Sequence, residues 1–319
     1  MSDYRDMVES EIKSLRLPAD RFPGLYKPIY YSLENGGKRL RPILLLMVCD
    51  AFGGDPQEAA AAALGIEMFH NFTLLHDDVM DNSALRRGKE TVVAKWGINT
   101  AILSGDTMLT LASEYMAKVP DDKLRRVLDV FNRTAIGVYE GQQLDMEFEN
   151  RTDVSLDEYL NMIRLKTSVL LGGACEIGAI LGGASDEEAR VLYRYGEALG
   201  VAFQIQDDYL DIYGDAATFG KPIGSDVLNN KKTFLTLSTL SRGDADASAL
   251  KSAMSLPAGD LKVRTVRNIF TAAEMPRVCR KAWAEWSGRA IKSLADTSLG
   301  KESVAALKGL VEKLIDRKK

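Results

Sequence analysis

Cysteine is scarce in this chain: Cys49, Cys175 and Cys279 are the only three in 319 residues, far apart and in no CxxC or other metal-ligand spacing. That excludes a zinc ribbon, and an odd, widely separated set points to reduced thiols and a cytoplasmic protein. Long apolar runs are also lacking. The longest, ILLLMVC at 43 to 49, falls short of the roughly 18 residues that span a bilayer. The first stretch, MSDYRDMVESEIKSLRL, is charged and amphipathic, unlike a signal peptide. Neither sign of charge dominates: 41 Lys and Arg against 45 Asp and Glu leave a net −4, interspersed along the chain, which argues against a nucleic-acid surface. There is no dinucleotide fingerprint, no Ser or Cys nucleophile with a base, no Pro/Gly/Ser-rich linker and no strand-like alternation between turn signals. What is present is helical periodicity, with capping boxes at Ser155/Glu158 and Ser185/Glu188. The expected fold is all-α, a single large helical domain over residues 1–319.

Two acidic motifs stand out, DDVMD at 77 to 81 and DDYLD at 207 to 211, each with Asp at i, i+1 and i+4. On a helix Asp77 and Asp81 share a face, as do Asp207 and Asp211, with Asp78 and Asp208 flanking it. Like charges so spaced cost roughly 0.2–0.5 kcal/mol on an exposed helix and more where water is scarce, so a cation is expected between them. Magnesium suits, because it takes one or two carboxylates and fills its other positions with water and phosphate oxygens. A solvated acidic face is the plain alternative. An apolar run before each motif, FTLL and VAFQI, and the motif's occurrence twice in one chain count against it.

Basic residues cluster near both motifs. Pro18, Pro23 and Pro28 punctuate a segment leading to a Gly36-Gly37 turn, then Lys38, Arg39 and Arg41 precede a buried helix predicted to start at Pro42. These cations serve either a solvated helix cap or an anion site. The next helix runs from about Asp55 to Asp81, and His70, two turns before Asp77, is either a satisfied core residue or a donor to a second anion. Arg86 and Arg87 follow the acidic end in a loop, and Gln142, Gln143 and Asp145 interrupt a later helical pattern. Lys166 and Thr167 lie in an apolar helix, where the lysine either snorkels outward or meets an anion. Lys221 sits in a loop with Gly214, Gly220 and Gly224, a lid or a plain surface loop, and Lys231 and Lys232 open another helix. Glycine pairs at 53–54, 172–173 and 182–183 either end helices or let helices approach closely. The remainder reads as amphipathic helices with a basic tail, IDRKK.

Two carboxylate clusters, basic side chains and long apolar helices suit a substrate with a charged head and an apolar tail, such as a prenyl diphosphate. The stretches GGKRLRP, LLHDDVMDNSALRRGK, GQQLDMEFE, LKTSVL, FQIQDDYLDIYGD, GKPIGSD and NNKKTF closely resemble those of trans-isoprenyl diphosphate synthases, the polyprenyl synthetase family, over about residues 30 to 240. The resemblance implies helices around a central cavity, a homodimer, and magnesium-dependent head-to-tail condensation of isopentenyl diphosphate with an allylic diphosphate (dimethylallyl, geranyl or farnesyl). It implies Lys38, Arg41, His70 and Arg87 for isopentenyl diphosphate, and Arg86, Lys166, Thr167, Gln204, Lys221 and Lys231 for the allylic diphosphate. Asp77, Asp81 and Asp207 would hold three magnesium ions, with Asp78, Asp208 and Asp211 as indirect or water-mediated partners. Asp77, Asp81, Asp207, Lys166 and Lys221 would carry the chemistry, and no protein general base is needed. The chain departs from many relatives in reading GKETVV, with Glu90 and Val93, where they have GKPTVH, a change to loop rigidity and not to diphosphate contacts.

Product length depends on what blocks the path of the growing tail. Phe72 lies roughly 7 Å along the helix from Asp77, and Phe69 roughly 12 Å. An aromatic five residues before the first Asp, with Thr73 at the fourth position and no insertion in the motif, resembles synthases making C20 geranylgeranyl diphosphate. C15 farnesyl diphosphate is the near alternative, and plain core packing is the other reading of both rings. Other classes fit less well: a long-chain synthase commonly has a small residue at Phe72, a terpene cyclase lacks the second DDYLD, and a non-catalytic partner subunit would have lost acidic or basic site residues that this chain keeps. A plain magnesium-binding scaffold would bind no diphosphate.

Overall fold

A computed structural model describes residues 2–214 and 223–315. The fold is all-α, and its helices are set largely by the caps and prolines in the sequence. In order they are α1 (Ser2–Ser14), α2 (Pro23–Glu34), α3 (Leu40–Ala51), α4 (Pro56–Met80), α5 (Val92–Trp96), α6 (Ile98–Met116), α7 (Asp121–Asn150), α8 (Leu156–Ile163), α9 (Val169–Leu181) and α10 (Asp186–Tyr213). After the undescribed residues come α11 (Ser225–Leu228), α12 (Phe234–Leu240), α13 (Ala245–Met254), α14 (Asp260–Ala272), α15 (Met275–Ser293) and α16 (Lys301–Ile315). The chain divides into two compact units, residues 1–133 with 173–192, and 134–172 with 193–319.

In the first unit α4 is the central element. Asp55 accepts from the Gln57 N–H at 2.8 Å and Pro56 occupies the first turn, so the start is fixed where the sequence places it. The helix is apolar nearly all round and packs against α6 and α3. Small residues set the spacing. A Cβ on Gly65 would lie 3.1 Å from the Ala112 carbonyl oxygen, and α9 meets α3 so closely that a Cβ on Gly178 would fall 2.3 Å from the Leu45 carbonyl oxygen. The glycine pairs thus serve both uses: Gly53 (φ 87°) and Gly183 (φ 90°) follow helix ends, while Gly182 lies against Cys49 and Phe52. In the second unit Tyr159, Met162, Ile163, Val201, Ile205, Phe234, Leu235, Val266, Phe270 and Trp283 form the core. Both capping boxes are present, at Ser155/Glu158 and Ser185/Glu188.

Three local expectations change. The Pro23 to Pro28 segment is a helix: Pro23 takes the first turn, where its missing N–H is not needed, and buried Pro28 is held inside by packing. Helix α3 begins at Leu40, with Arg39 in the left-handed region (φ 49°) as its cap, so Pro42 falls in the first turn. Residues 85 to 90 form the one hairpin among the described residues. Arg87 (φ 54°) and Gly88 (φ 75°) give it the positive-φ turn that two-residue hairpins favour. All three cysteines are buried free thiols, and no helix among the described residues is long and apolar enough to cross a membrane.

Candidate active site

Each aspartate motif occupies the last turns of a long helix, the first on the 25 residues of α4 and the second on the 28 of α10. A helix C-terminus carries partial negative charge, so carboxylates there are doubly unfavourable without a cation. The chain supplies part of that cation itself. Arg86, delivered by the hairpin, pairs through Nε with Asp78 at 2.8 Å. Asp78 is buried, and desolvation pushes its pKa up against the pull of Arg86. Asp81 is exposed and caps the helix, and Asp77 sits one turn back on the same face.

Beside the first motif lies a positive pocket. Arg41 Nη1 is 3.3 Å from His70 Nε2. Because a guanidinium only donates, Nε2 accepts, which places the His70 proton on Nδ1. Burial first, then the fields of Arg41, Arg87, Arg86 and Arg39, drive the His70 pKa well below its ordinary value. The ring is therefore neutral at pH 7. Desolvation likewise pulls Arg41 down to about 10, and its buried Nε has no partner. A buried guanidinium with an unsatisfied donor, flanked by other arginines, is the electrostatic signature of an anion site. Arg87 donates to the Gly36 carbonyl, and Gly37, at φ 144°, has no room for a Cβ beyond 3.0 Å from Arg87 Nη1. Lys38 is exposed on the same turn.

Arg39 belongs elsewhere. It is 3% exposed and forms ion pairs with Glu67 (2.6 Å) and Glu9 (3.0 Å), with Asn71 donating to Glu67 at 3.1 Å. The KRLR run therefore splits by helical position, Arg39 turning into the core and Arg41 into the anion pocket. Glu67 and Asn71 lie in an apolar helical run, and only a polar pair at i, i+4 marks them in the sequence. Below Asp77, Phe72 and Phe69 are buried with ring centroids 5.5 Å apart, and Phe72 meets His76 edge-on at 4.7 Å. Thr73 is partly buried and donates to the His70 carbonyl at 2.8 Å.

The second unit carries the other cluster. Residues Arg164–Ser168 form a π-helical turn between α8 and α9, which periodicity does not predict. It packs closely against two other helices: a Cβ on Gly141 would lie 2.1 Å from the Lys166 backbone nitrogen, and one on Gly200 would lie 2.6 Å from Ser168 Cα. The widened turn presents Lys166, whose Nζ meets Asp145 Oδ2 at 2.6 Å, and Thr167, whose hydroxyl donates to Gln204 Oε1 at 3.3 Å. Asp145 is thus the anion that the inward lysine required. We expect Gly141→Ala to cost about 3 kcal/mol, as a methyl forced into backbone, and to disturb Lys166 and Thr167 together. Thermal unfolding and the KM for the allylic substrate would read the two effects.

Asp208 is buried and accepts from Tyr159, from the Phe234 N–H at 2.8 Å and from Gln204 Nε2 at 3.2 Å. Burial, then the like charge of Asp226, pushes its pKa up to about 8 against those donors. Asp211 is also buried and accepts from the Asp226 N–H at 3.2 Å. Asp207, the first residue of the motif, is partly buried. Lys231 and Lys232 precede α12 in coil and do not open it; Thr233 is the cap. Lys221 lies outside the described residues.

Residues 22–272 match the polyprenyl synthetase family model. The chain belongs to the polyprenyl synthetase family. It is 43% identical over 238 residues to a geranylgeranyl diphosphate synthase of Methanosarcina mazei, covering 74% of this chain and 73% of that one. A geranylfarnesyl diphosphate synthase of Natronomonas pharaonis is 40% identical over 76% of each chain. Among solved structures, a geranylgeranyl pyrophosphate synthase superposes with a TM-score of 0.94 at 44% identity, covering 100% of this chain and 99% of the other. As a polyprenyl synthetase, the protein is a prenyltransferase of the short-chain class. Carboxylate pairs of hard oxygen donors are of the type magnesium prefers. Among the described residues no three acidic, imidazole or thiol groups form a cage of their own.

Proposed function

We propose that this protein condenses isopentenyl diphosphate with an allylic diphosphate, in the presence of magnesium, and releases mainly C20 geranylgeranyl diphosphate. The observation that carries this is the placement of each aspartate motif at the negative end of a long helix, the first paired with Arg86 through Asp78 and the second in the same unit as Lys166. In the first unit Asp77 and Asp81 hold magnesium. Arg41, Arg87, Lys38 and the Nδ1–H of neutral His70 bind the isopentenyl diphosphate. In the second unit Asp207 holds magnesium, supported indirectly by Asp208 and Asp211. Lys166, Thr167, Gln204 and Lys231 there bind the allylic diphosphate, together with Lys221. When bound, magnesium supplies the charge that stabilises the departing diphosphate.

The chain's own contribution is binding, charge and dryness. Arginines and lysines fix the diphosphates and lower the cost of charge building on the leaving group. Apolar side chains such as Phe72, Phe69 and Leu75 exclude water near the first motif, which protects an allylic cation from capture. As the allylic C–O bond breaks and diphosphate leaves, the π bond of isopentenyl diphosphate supplies the electrons for the new C–C bond, and the proton lost from the resulting cation passes to the released diphosphate without a protein base. Turnover of labelled isopentenyl diphosphate with each primer, with magnesium and after chelation by EDTA, tests this. Activity that persists in EDTA or needs no allylic primer contradicts it.

Phe72 supports the C20 limit. Its ring stands in the first core layer below Asp77, one turn above Phe69, and its removal opens space on the face that a growing tail follows. Phe72→Ala is expected to yield products of C25 and longer, read by chromatography. The same change costs about 3–5 kcal/mol of stability, as for large aromatic deletions. The homodimer implied by the resemblance has a candidate surface on α6, where Ile98, Ile102 and Leu103 are exposed.

A further inference from the structure

Hydrogen bonds in the second unit converge on one carboxylate of the DDYLD motif. Asp208 Oδ2 accepts from the Tyr159 hydroxyl and from the Phe234 N–H at 2.8 Å, and Oδ1 accepts from Gln204 Nε2 at 3.2 Å. Gln204 in turn accepts from Thr167 at 3.3 Å. One buried side chain thus joins α8, the π-helical turn, α10 and the first residue of α12.

Tyr159 is the unexpected member. It is 2% exposed and belongs to the apolar core with Met162, Ile163 and Ile205, where a phenylalanine ring would fill the same space. Burying a hydroxyl is unfavourable unless it is hydrogen-bonded. Here the hydroxyl is aimed at the motif. With Oδ2 of Asp208 held from α8 and α12, and Oδ1 held by Gln204 one turn back on α10 itself, the rotation of α10 about its axis is fixed, and Asp207 and Asp211 on the same turns are fixed with it.

We infer that Tyr159 is a positioning residue for the second aspartate motif, acting through Asp208 to orient Asp207 and to hold the Thr167–Gln204 pair in place. The inference rests on the proposed role of that motif in binding magnesium and the allylic diphosphate. It predicts a selective kinetic defect. Groups that orient metal ligands typically cost 10–100-fold when removed. In Tyr159→Phe the KM for the allylic diphosphate and the magnesium half-saturation concentration therefore rise about tenfold, while the KM for isopentenyl diphosphate stays near its wild-type value.

Tyr195→Phe is the control. It deletes another fully buried hydroxyl of the same unit, one that donates to the Leu307 carbonyl at 2.9 Å. It is expected to lower the thermal midpoint without changing any of the three kinetic quantities. In an Asp208→Asn background, Tyr159→Phe should add little, because the hydroxyl works through that carboxylate. The inference is overturned if Tyr159→Phe leaves the allylic KM and the magnesium dependence unchanged, fails to fold, or combines additively with Asp208→Asn. Wild-type protein with no magnesium-dependent turnover would instead overturn the functional reading, and that result appears before any variant is compared.

Discussion

Asp77→Ala is expected to lower kcat about 1,000-fold, on the scale seen when one preorganised electrostatic group is removed from a reacting centre. Asp77 lies one turn from Asp81 at the end of α4, where the helix dipole already disfavours negative charge. Alanine leaves a single carboxylate on that face, too little to hold a divalent ion against water. The lost charge stabilisation falls on the departing diphosphate, so the effect appears in kcat as well as KM. Asp78→Ala makes the contrast. Its carboxylate is already satisfied by Arg86, so its removal frees a cation and does not remove a metal ligand. About a tenfold loss is expected there, the lower end for indirect partners. Steady-state kinetics over a magnesium titration separate the two. Asp77→Ala should stay slow at any magnesium concentration, and equal losses in both variants would contradict the assignment.

Arg39→Ala is expected to destabilise the protein by about 3–5 kcal/mol, the usual cost of leaving a buried charge without its partner. Glu67 is as buried as Arg39 and would lose its direct ion-pair partner, with Asn71 as its remaining hydrogen-bond donor. The neighbouring Arg41→Ala is expected to do the opposite. It removes a guanidinium whose burial is only partly offset by Glu67, with its pKa pulled down to about 10, so stability changes little. The KM for isopentenyl diphosphate, however, rises by about 100-fold, as for loss of a charge-assisted bidentate contact. Denaturant midpoints and substrate KM values for the pair test this division of one short basic run. A large stability loss in Arg41→Ala with unchanged KM would reverse the two roles.

Much of this was legible in the sequence, for stated reasons. Helix α4 is bounded by an Asp-Pro start and by its own acidic motif, and both act locally, so its ends lie where the sequence places them. The spacing of Asp77, Asp78 and Asp81 fixes which share a face, whatever the surroundings. The division between Arg39 and Arg41 is not local. It depends on Glu9 and Glu67, which reach Arg39 from α1 and α4. The π-helical turn at Lys166 was hidden for a similar reason, since the glycines that admit its close packing, Gly141 and Gly200, lie on two other helices. Asp145 was visible as a charge within a helical pattern, but its partner Lys166 was identified only by proximity. The 85 to 90 hairpin is too short to show alternation, and only the Arg-Gly pair at its turn hints at it.

The most direct test is the product made by the wild-type enzyme. Purified protein is incubated with magnesium, labelled isopentenyl diphosphate and, separately, dimethylallyl, geranyl and farnesyl diphosphates, and the products are resolved by chain length. Growth from every primer that stops at C20 is the predicted result. Products of C30 or longer would contradict the role given to Phe72, and no extension of any primer would contradict the account as a whole.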